Sequence, residues 1–122
     1  MIGVLEEEGR VFLTSTETIF IPKDEVQVAR RKLNLYVNLN FVPTEDYYVR
    51  VDGTNNLISK GVFVHSELIP VNSKEVDLVL AIHNAGSTEN WAQNKRGILV
   101  ERGKKLASLT LIKKEKAQLT LV

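Results

Sequence analysis

Two stretches of this chain alternate apolar and polar side chains with a period of two, and that pattern commits it to a fold built from strands. Leu33, Leu35, Val37, Leu39 and Phe41 alternate with Asn34, Tyr36, Asn38 and Asn40. Val76, Leu78, Leu80 and Ile82 repeat the pattern, with Asp77 and His83 on the other face. Successive strand side chains point to opposite faces, so each stretch predicts a strand with one apolar side. Shorter β-rich runs lie at 19–21, 26–29, 47–51, 61–64, 98–100 and 106–112, with 118–122 a further candidate. Turn signals separate them: Pro22-Lys23-Asp24, Pro43-Thr44-Glu45-Asp46, Asp52-Gly53-Thr54-Asn55-Asn56 and Asn72-Ser73-Lys74. Many short strands at this spacing predict a sandwich or barrel. No segment reads as an amphipathic helix longer than two turns. Residues 84–96, rich in Asn, Gly and Ser and carrying the single Trp91, are the least regular.

The chain has 122 residues, of which 43% are hydrophobic. That is enough to fill one core, and no repeat or linker divides it, so a single all-β domain over 1–122 is expected. Sixteen Lys and Arg against fifteen Asp and Glu leave a net charge of +1. Such balance argues against a dedicated nucleic-acid binder, which needs a basic excess on one face. The absence of cysteine excludes disulfides and thiolate metal sites and fits a reducing compartment. No apolar run approaches the roughly 20 residues of a membrane span. The acidic stretch 1–10 has no signal-peptide core, so a cytoplasmic protein is expected.

Familiar catalytic patterns do not occur. There is no G-x-S-x-G, no H-E-x-x-H and no phosphate-cradling glycine run. His65 and His83 are the only histidines, and two of them without Cys make a weak metal signal, so no metal or cofactor is expected. Glu6-Glu7-Glu8 and Lys113-Lys114-Glu115-Lys116 read as solvated charge runs.

An ordered set of short motifs carries more information. Ile21-Pro22, Val42-Pro43-Thr44, Tyr47-Tyr48-Val49-Arg50-Val51, Gly61-Val62-Phe63-Val64 and the turn Arg102-Gly103 before Lys104-Lys105-Leu106-Ala107 follow in sequence. In this order and near these spacings they resemble the dUTPase family over roughly 10–112. The resemblance implies a jelly-roll type β-barrel that assembles as a trimer. It also exposes what differs. The first motif's aspartate is matched by Phe12 in Arg10-Val11-Phe12-Leu13. The second motif's phosphate-binding arginine and serine are matched by Gly53-Thr54-Asn55-Asn56. In the third, Pro70 lies near the position of the water-activating aspartate and no tyrosine follows. Ser108 replaces the fourth motif's glutamine, and no arginine-bearing fifth motif precedes Val122. Hydrolysis of a triphosphate needs a carboxylate to orient water and cations to offset charge. Losing one such group costs a factor of about 10² to 10³. The expectation is therefore a non-catalytic member.

Within that family, stretches 10–22 and 60–84 are similar to the adenovirus early-region-four proteins of the first open reading frame, which are dUTPase-derived and have lost the same motifs. Residues 84–96 and the Lys/Glu-rich surface depart from them. This likeness implies a viral protein that engages host PDZ-domain scaffolds through its C-terminus. The tail, 117–122, ends Leu119-Thr120-Leu121-Val122. As a PDZ ligand it would add a strand to a sheet edge, with Val122 in an apolar pocket and Thr120 offering its hydroxyl. The same residues could simply form a last strand, free or exchanged onto a neighbour. The interaction residues expected are Thr120, Leu121, Val122 and Trp91. Trp91 is either an interface anchor or a lid over one end of the core. The alternative is a divergent nucleotide-binding or nucleotide-hydrolysing enzyme using His65, Glu67, Arg50 and Asp52 with magnesium. A structural subunit, such as a phage or capsid decoration, is a third.

Overall fold

The computed structural model describes residues 1–42, 44 and 46–114. The tail that carries Thr120, Leu121 and Val122 lies outside the described residues, as do Pro43 and Glu45. Among the described residues eleven strands and two short helices follow in the order β1 (Ile2–Glu7), β2 (Arg10–Ser15), β3 (Ile19–Pro22), β4 (Val26–Asn34), α1 (Leu35–Leu39), β5 (Tyr47–Gly53), α2 (Asn55–Ser59), β6 (Val62–His65), β7 (Ile69–Pro70), β8 (Glu75–Asn84), β9 (Asn90–Ala92), β10 (Lys95–Val100) and β11 (Lys105–Lys113). They form a five-stranded sheet, β1-β2-β11-β5-β7, and two three-stranded sheets, β3-β10-β9 and β4-β8-β6. Every pairing is antiparallel. The fold is all-β, as the alternation predicted. One cluster of buried aliphatic residues joins the sheets, with Leu13, Ile21, Leu33, Val49, Val62 and Leu80 among its members. Among the described residues no helix is long and apolar enough to cross a membrane.

Strand β8 behaves as its pattern requires. Val76, Leu78, Leu80, Ile82 and Asn84 are buried, while Glu75, Asp77 and Val79 face outward. The first alternating stretch does not. The strand over 33–41 that period two predicts stops at Asn34, and a helical turn follows. The Asn34 side-chain oxygen accepts from the backbone N–H of Tyr36 and of Val37, each at 3.1 Å. Asn40, with φ of +51°, closes the helix at its other end. An N-cap and a left-handed C-cap together outweigh strand alternation, because each satisfies backbone groups that a strand here would leave unpaired. Only Leu35 of this helix is buried, and Tyr36 and Val37 are exposed.

The acidic N-terminal stretch contains a strand that the periodic signal did not reveal. Glu6, Glu7 and Glu8 are exposed, as a solvated run should be, but they belong to a hairpin, β1–β2, in which Glu7 faces Arg10 across the loop residues Glu8 and Gly9. Both have positive φ, +52° and +75°, the combination that a two-residue type I′ turn demands. Ile2 anchors the strand in the core, and the Arg31 guanidinium donates to the Ile2 carbonyl at 2.9 Å. Likewise Lys113 belongs to β11, paired with Tyr47, and Lys114 stacks over the Tyr48 ring. The irregular stretch 84–96 contains strand β9 and turns into β10 through Gln93 and Asn94, again both at positive φ.

Asn84 ties that stretch to the core. Fully buried, it donates from its amide to the carbonyls of Ile21 (2.9 Å) and Ser87 (3.0 Å), and its oxygen accepts from the Ser87 N–H at 2.7 Å. Next to it, Gly97 lies so tightly against β3 that a Cβ would run into the Ile21 carbonyl oxygen and come within 2.7 Å of Pro22 Cα. Buried polar groups left without partners cost more than the bonds were worth. Asn84→Ala is therefore expected to lower the unfolding free energy by about 3 kcal/mol, read from urea denaturation, whereas Asn72→Ala in an exposed turn should change it by less than about 0.5 kcal/mol.

Candidate functional site

Strand β11 lies between β2 and β5, and its register decides which side chains meet. Ser108 is opposite Phe12 on one side and Asp52 on the other. The turn that leads into β11 and the turn that leaves β5 therefore flank the same hollow. This cavity, of about 590 Å³, is lined by the positions that the family resemblance matches to its first, second and fourth motifs: Phe12, the loop Gly53-Thr54-Asn55-Asn56, and Ser108. Arg10, Gly103, Lys104 and Lys105 complete it.

Each wall has a local cause. Thr54 caps α2 by accepting from the Leu57 N–H, and its own N–H donates to the Leu106 carbonyl, so the loop 53–56 is fixed against β11. Gly103, with φ of +86°, makes the turn after β10. A register shift between Lys105 and Ala107 bends β11 where it meets β2. Bulges of this kind re-aim side chains at the ends of strands.

The cavity's electrostatics are one-sided. Two cations close on the ring of Phe12, the residue that the resemblance matches to an aspartate. Lys105 Nζ lies 4.3 Å and the Arg10 guanidinium carbon 5.3 Å from the centroid. Lys105 also donates to Glu7 at 3.0 Å, and Lys104 donates to the Asn56 side-chain oxygen. Among the described residues no carboxylate lines this cavity. The nearest in register, Asp52, accepts from the Arg50 guanidinium at 2.9 Å, and this half-exposed pair lies outside the lining of the cavity. Cations, amides and hydroxyls of this kind can hold an anion.

The third-motif stretch sits elsewhere. His65, Ser66 and Glu67 line a second cavity of about 490 Å³ together with Asp77 and the apolar Val28, Ile69, Val79 and Ala81. Pro70 is held in β7, opposite Tyr48 of β5. The four residues of the enzyme alternative are thus divided: His65 and Glu67 line this cavity, Arg50 and Asp52 do not. Among the described residues no group of three or more His, Cys, Asp or Glu could hold a metal ion.

Trp91 is no lid over the core. It is 65% exposed on β9, directly across from Arg96, whose guanidinium lies 5.7 Å from the indole centroid. The basic lining of the first cavity escaped sequence reasoning. Arg10 and Lys104-Lys105 are more than ninety positions apart, and only the β2–β11 pairing joins them.

This architecture is the dUTPase fold. No protein-family model matches the chain, and no curated protein matches it by sequence. Solved structures do match over its whole length. The native dUTPase of EIAV aligns with 100% of this chain and 96% of its own, at 15% identity and a TM-score of 0.62. A variant dUTPase of Staphylococcus aureus phage phi11 does so at 15% identity and a TM-score of 0.67, again over 100% and 96%. The dUTPase of Staphylococcus bacteriophage 80alpha gives 14% identity and a TM-score of 0.64 over 100% and 88%.

The stacking around Phe12 gives a direct prediction. Phe12→Leu keeps the apolar bulk but removes both cation–ring contacts. It should destabilise the protein by roughly 1 kcal/mol in urea denaturation, with the loss shrinking in Arg10→Ala.

Proposed function

We propose that this chain is a non-catalytic protein on a dUTPase-type barrel and acts through protein–protein contact. The observation that carries the reading is the first cavity. At the positions that the resemblance matches to three motifs it presents Phe12 between two cations, with no carboxylate in its lining. An aspartate that orients water cannot be replaced by a phenyl ring, and Asp52 is engaged by Arg50. Titration calorimetry with a non-hydrolysable dUTP analogue should give no magnesium-dependent micromolar binding, and dUTP should not turn over above buffer. Turnover that vanishes in Glu67→Gln would reverse the assignment.

The contact residues in this proposal are Trp91 and the C-terminal Thr120, Leu121 and Val122. An exposed tryptophan backed by an arginine is the kind of side chain that anchors interfaces. The tail follows the PDZ-ligand pattern, which leads to a viral protein acting on host PDZ-domain scaffolds in the cytoplasm. A homotrimer would present three tails at once and gain avidity for multi-domain partners. Binding to a panel of PDZ domains is expected to fall at least about tenfold in Val122→Ala, or when one residue is appended after Val122. Equal binding by these variants and the parent removes the tail mechanism.

A second reading draws on the same cavity. Arg10, Lys104 and Lys105 converge there, as phosphate-binding cations would, which favours a nucleotide-binding protein without turnover or a divergent enzyme. The calorimetric titration separates the two readings, since only this one gives saturable binding lost in Lys104→Ala.

A further inference from the structure

Strand β9 ends its sheet, and one row of side chains runs inward from that edge. Register sets Trp91 of β9 opposite Arg96 of β10. On the other side of Arg96, the Lys23 N–H donates to the Arg96 carbonyl at 3.0 Å, which carries the β3–β10 ladder one residue past Pro22. Residues directly opposite in a ladder share a face, so Lys23, Arg96 and Trp91 form a row. All three are exposed. Gly97, pressed against Ile21 and Pro22, holds β10 on β3 and fixes the row.

The row lacks partners in two respects. Like charges directly opposite each other repel, and Lys23 and Arg96 are such a pair. Among the described residues neither is in an ion pair, whereas Lys95 reaches Glu25 at 3.5 Å and Lys60 reaches Glu89 at 3.3 Å. The Arg96 guanidinium lies over the indole instead, and so toward the free edge. The second lack is in the backbone. Gln93 and Asn94 alone join β9 to β10, and in such a hairpin the pair beside the turn, here Ala92 and Lys95, exchanges its backbone bonds. The next pair turns its N–H and C=O groups outward. Those of Arg96 meet β3, as the bond from Lys23 shows. Those of Trp91 point to the open edge, where among the described residues no loop or cap bonds to them.

We propose that the β9 edge receives an extended acidic segment of a partner protein, which adds as a strand beside Trp91 and sets a carboxylate against Arg96 and Lys23. The proposal rests on the protein-contact reading above and deepens it by naming the partner's chemistry. Strand addition fixes the segment through the Trp91 backbone, and alternate side chains of the segment then lie on the face of the row. A carboxylate there meets two cations without an internal counter-charge, and the guanidinium offers it a planar fork. Single-stranded nucleic acid also combines negative charge with groups that stack on tryptophan. It fits less well, because it needs a basic groove along its backbone. Here Glu25, on Lys95, and Glu89, just before β9, interrupt any such groove, and the net charge is only +1.

Trp91 is the chain's only tryptophan, so its fluorescence reports on this edge directly. The full chain is titrated with a short blocked peptide of alternating Glu and Val, and with its Lys-Val counterpart. The Glu-Val peptide should give a saturable blue shift that weakens in high salt, and the Lys-Val peptide none. Arg96→Glu and Lys23→Glu should each weaken binding at least about tenfold, and the double variant should take the Lys-Val peptide instead. That reversal separates lost charge from lost folding, since an unfolded chain would bind neither. Proline in place of the central Val of the peptide should abolish the shift, because proline cannot complete a strand ladder. An undiminished shift with the proline peptide overturns strand addition. No saturable shift with the Glu-Val peptide, or charge variants that bind it as well as the parent, removes this partner, while the PDZ panel still decides the contact reading by itself. A tighter response to an oligouridylate than to the peptide assigns the edge to nucleic acid, and a shift on raising protein concentration alone assigns it to a second copy. Either result overturns the proposal.

Discussion

The two-sided hydrogen bonding of β11 is the constraint on which the rest of the molecule depends. On one side it pairs with β2 and on the other with β5, so it joins the N-terminal hairpin to the middle of the chain. Its inward side chains Leu106, Ala107 and Leu109 enter the core. A one-residue slip would exchange its buried and exposed faces, which makes the register costly to change. That register sets Ser108 between Phe12 and Asp52 and brings Lys104 and Lys105 beside Arg10. The cationic cavity is thus a consequence of core packing, not of any local motif.

The chemistry of the cavity follows from what that register delivers. Two cations stack on Phe12, an asparagine accepts from Lys104, and a threonine that could have faced a ligand instead caps α2. Of the three lining cations, Lys105 is paired with a carboxylate, that of Glu7. At these positions the fold presents cations, amides and a hydroxyl. The surface left without internal partners lies elsewhere, at Trp91 on its hairpin.

Much of the architecture could be read directly from residues. The alternation in 76–82 appears unchanged as β8, and the runs at 19–21, 47–51 and 106–112 all lie in strands. Where the reading erred, a local hydrogen bond or turn had competed with the periodic signal. Asn34 used its side chain to start a helix that hydrophobic alternation disguised as strand. Glu8-Gly9 folded the acidic stretch into a hairpin whose glutamates stay solvated, so composition read their exposure but not their pairing. Trp91 was visible as an oddity, but whether it covered the core or faced water depended on the pairing of β9 with β10.

The sequence by itself determined the all-β class, the order of the short strands and the residue types standing at each matched motif position, because these depend on spacing along the chain and on side-chain chemistry alone. Only the tertiary structure decided which of those residues meet. Phe12, Asn56, Lys105 and Ser108 are brought together by long-range pairing, and of His65, Glu67, Arg50 and Asp52 only the first two line one hollow. The physical reason is that strand pairing joins segments far apart in sequence, so proximity is set by the register that best buries the core.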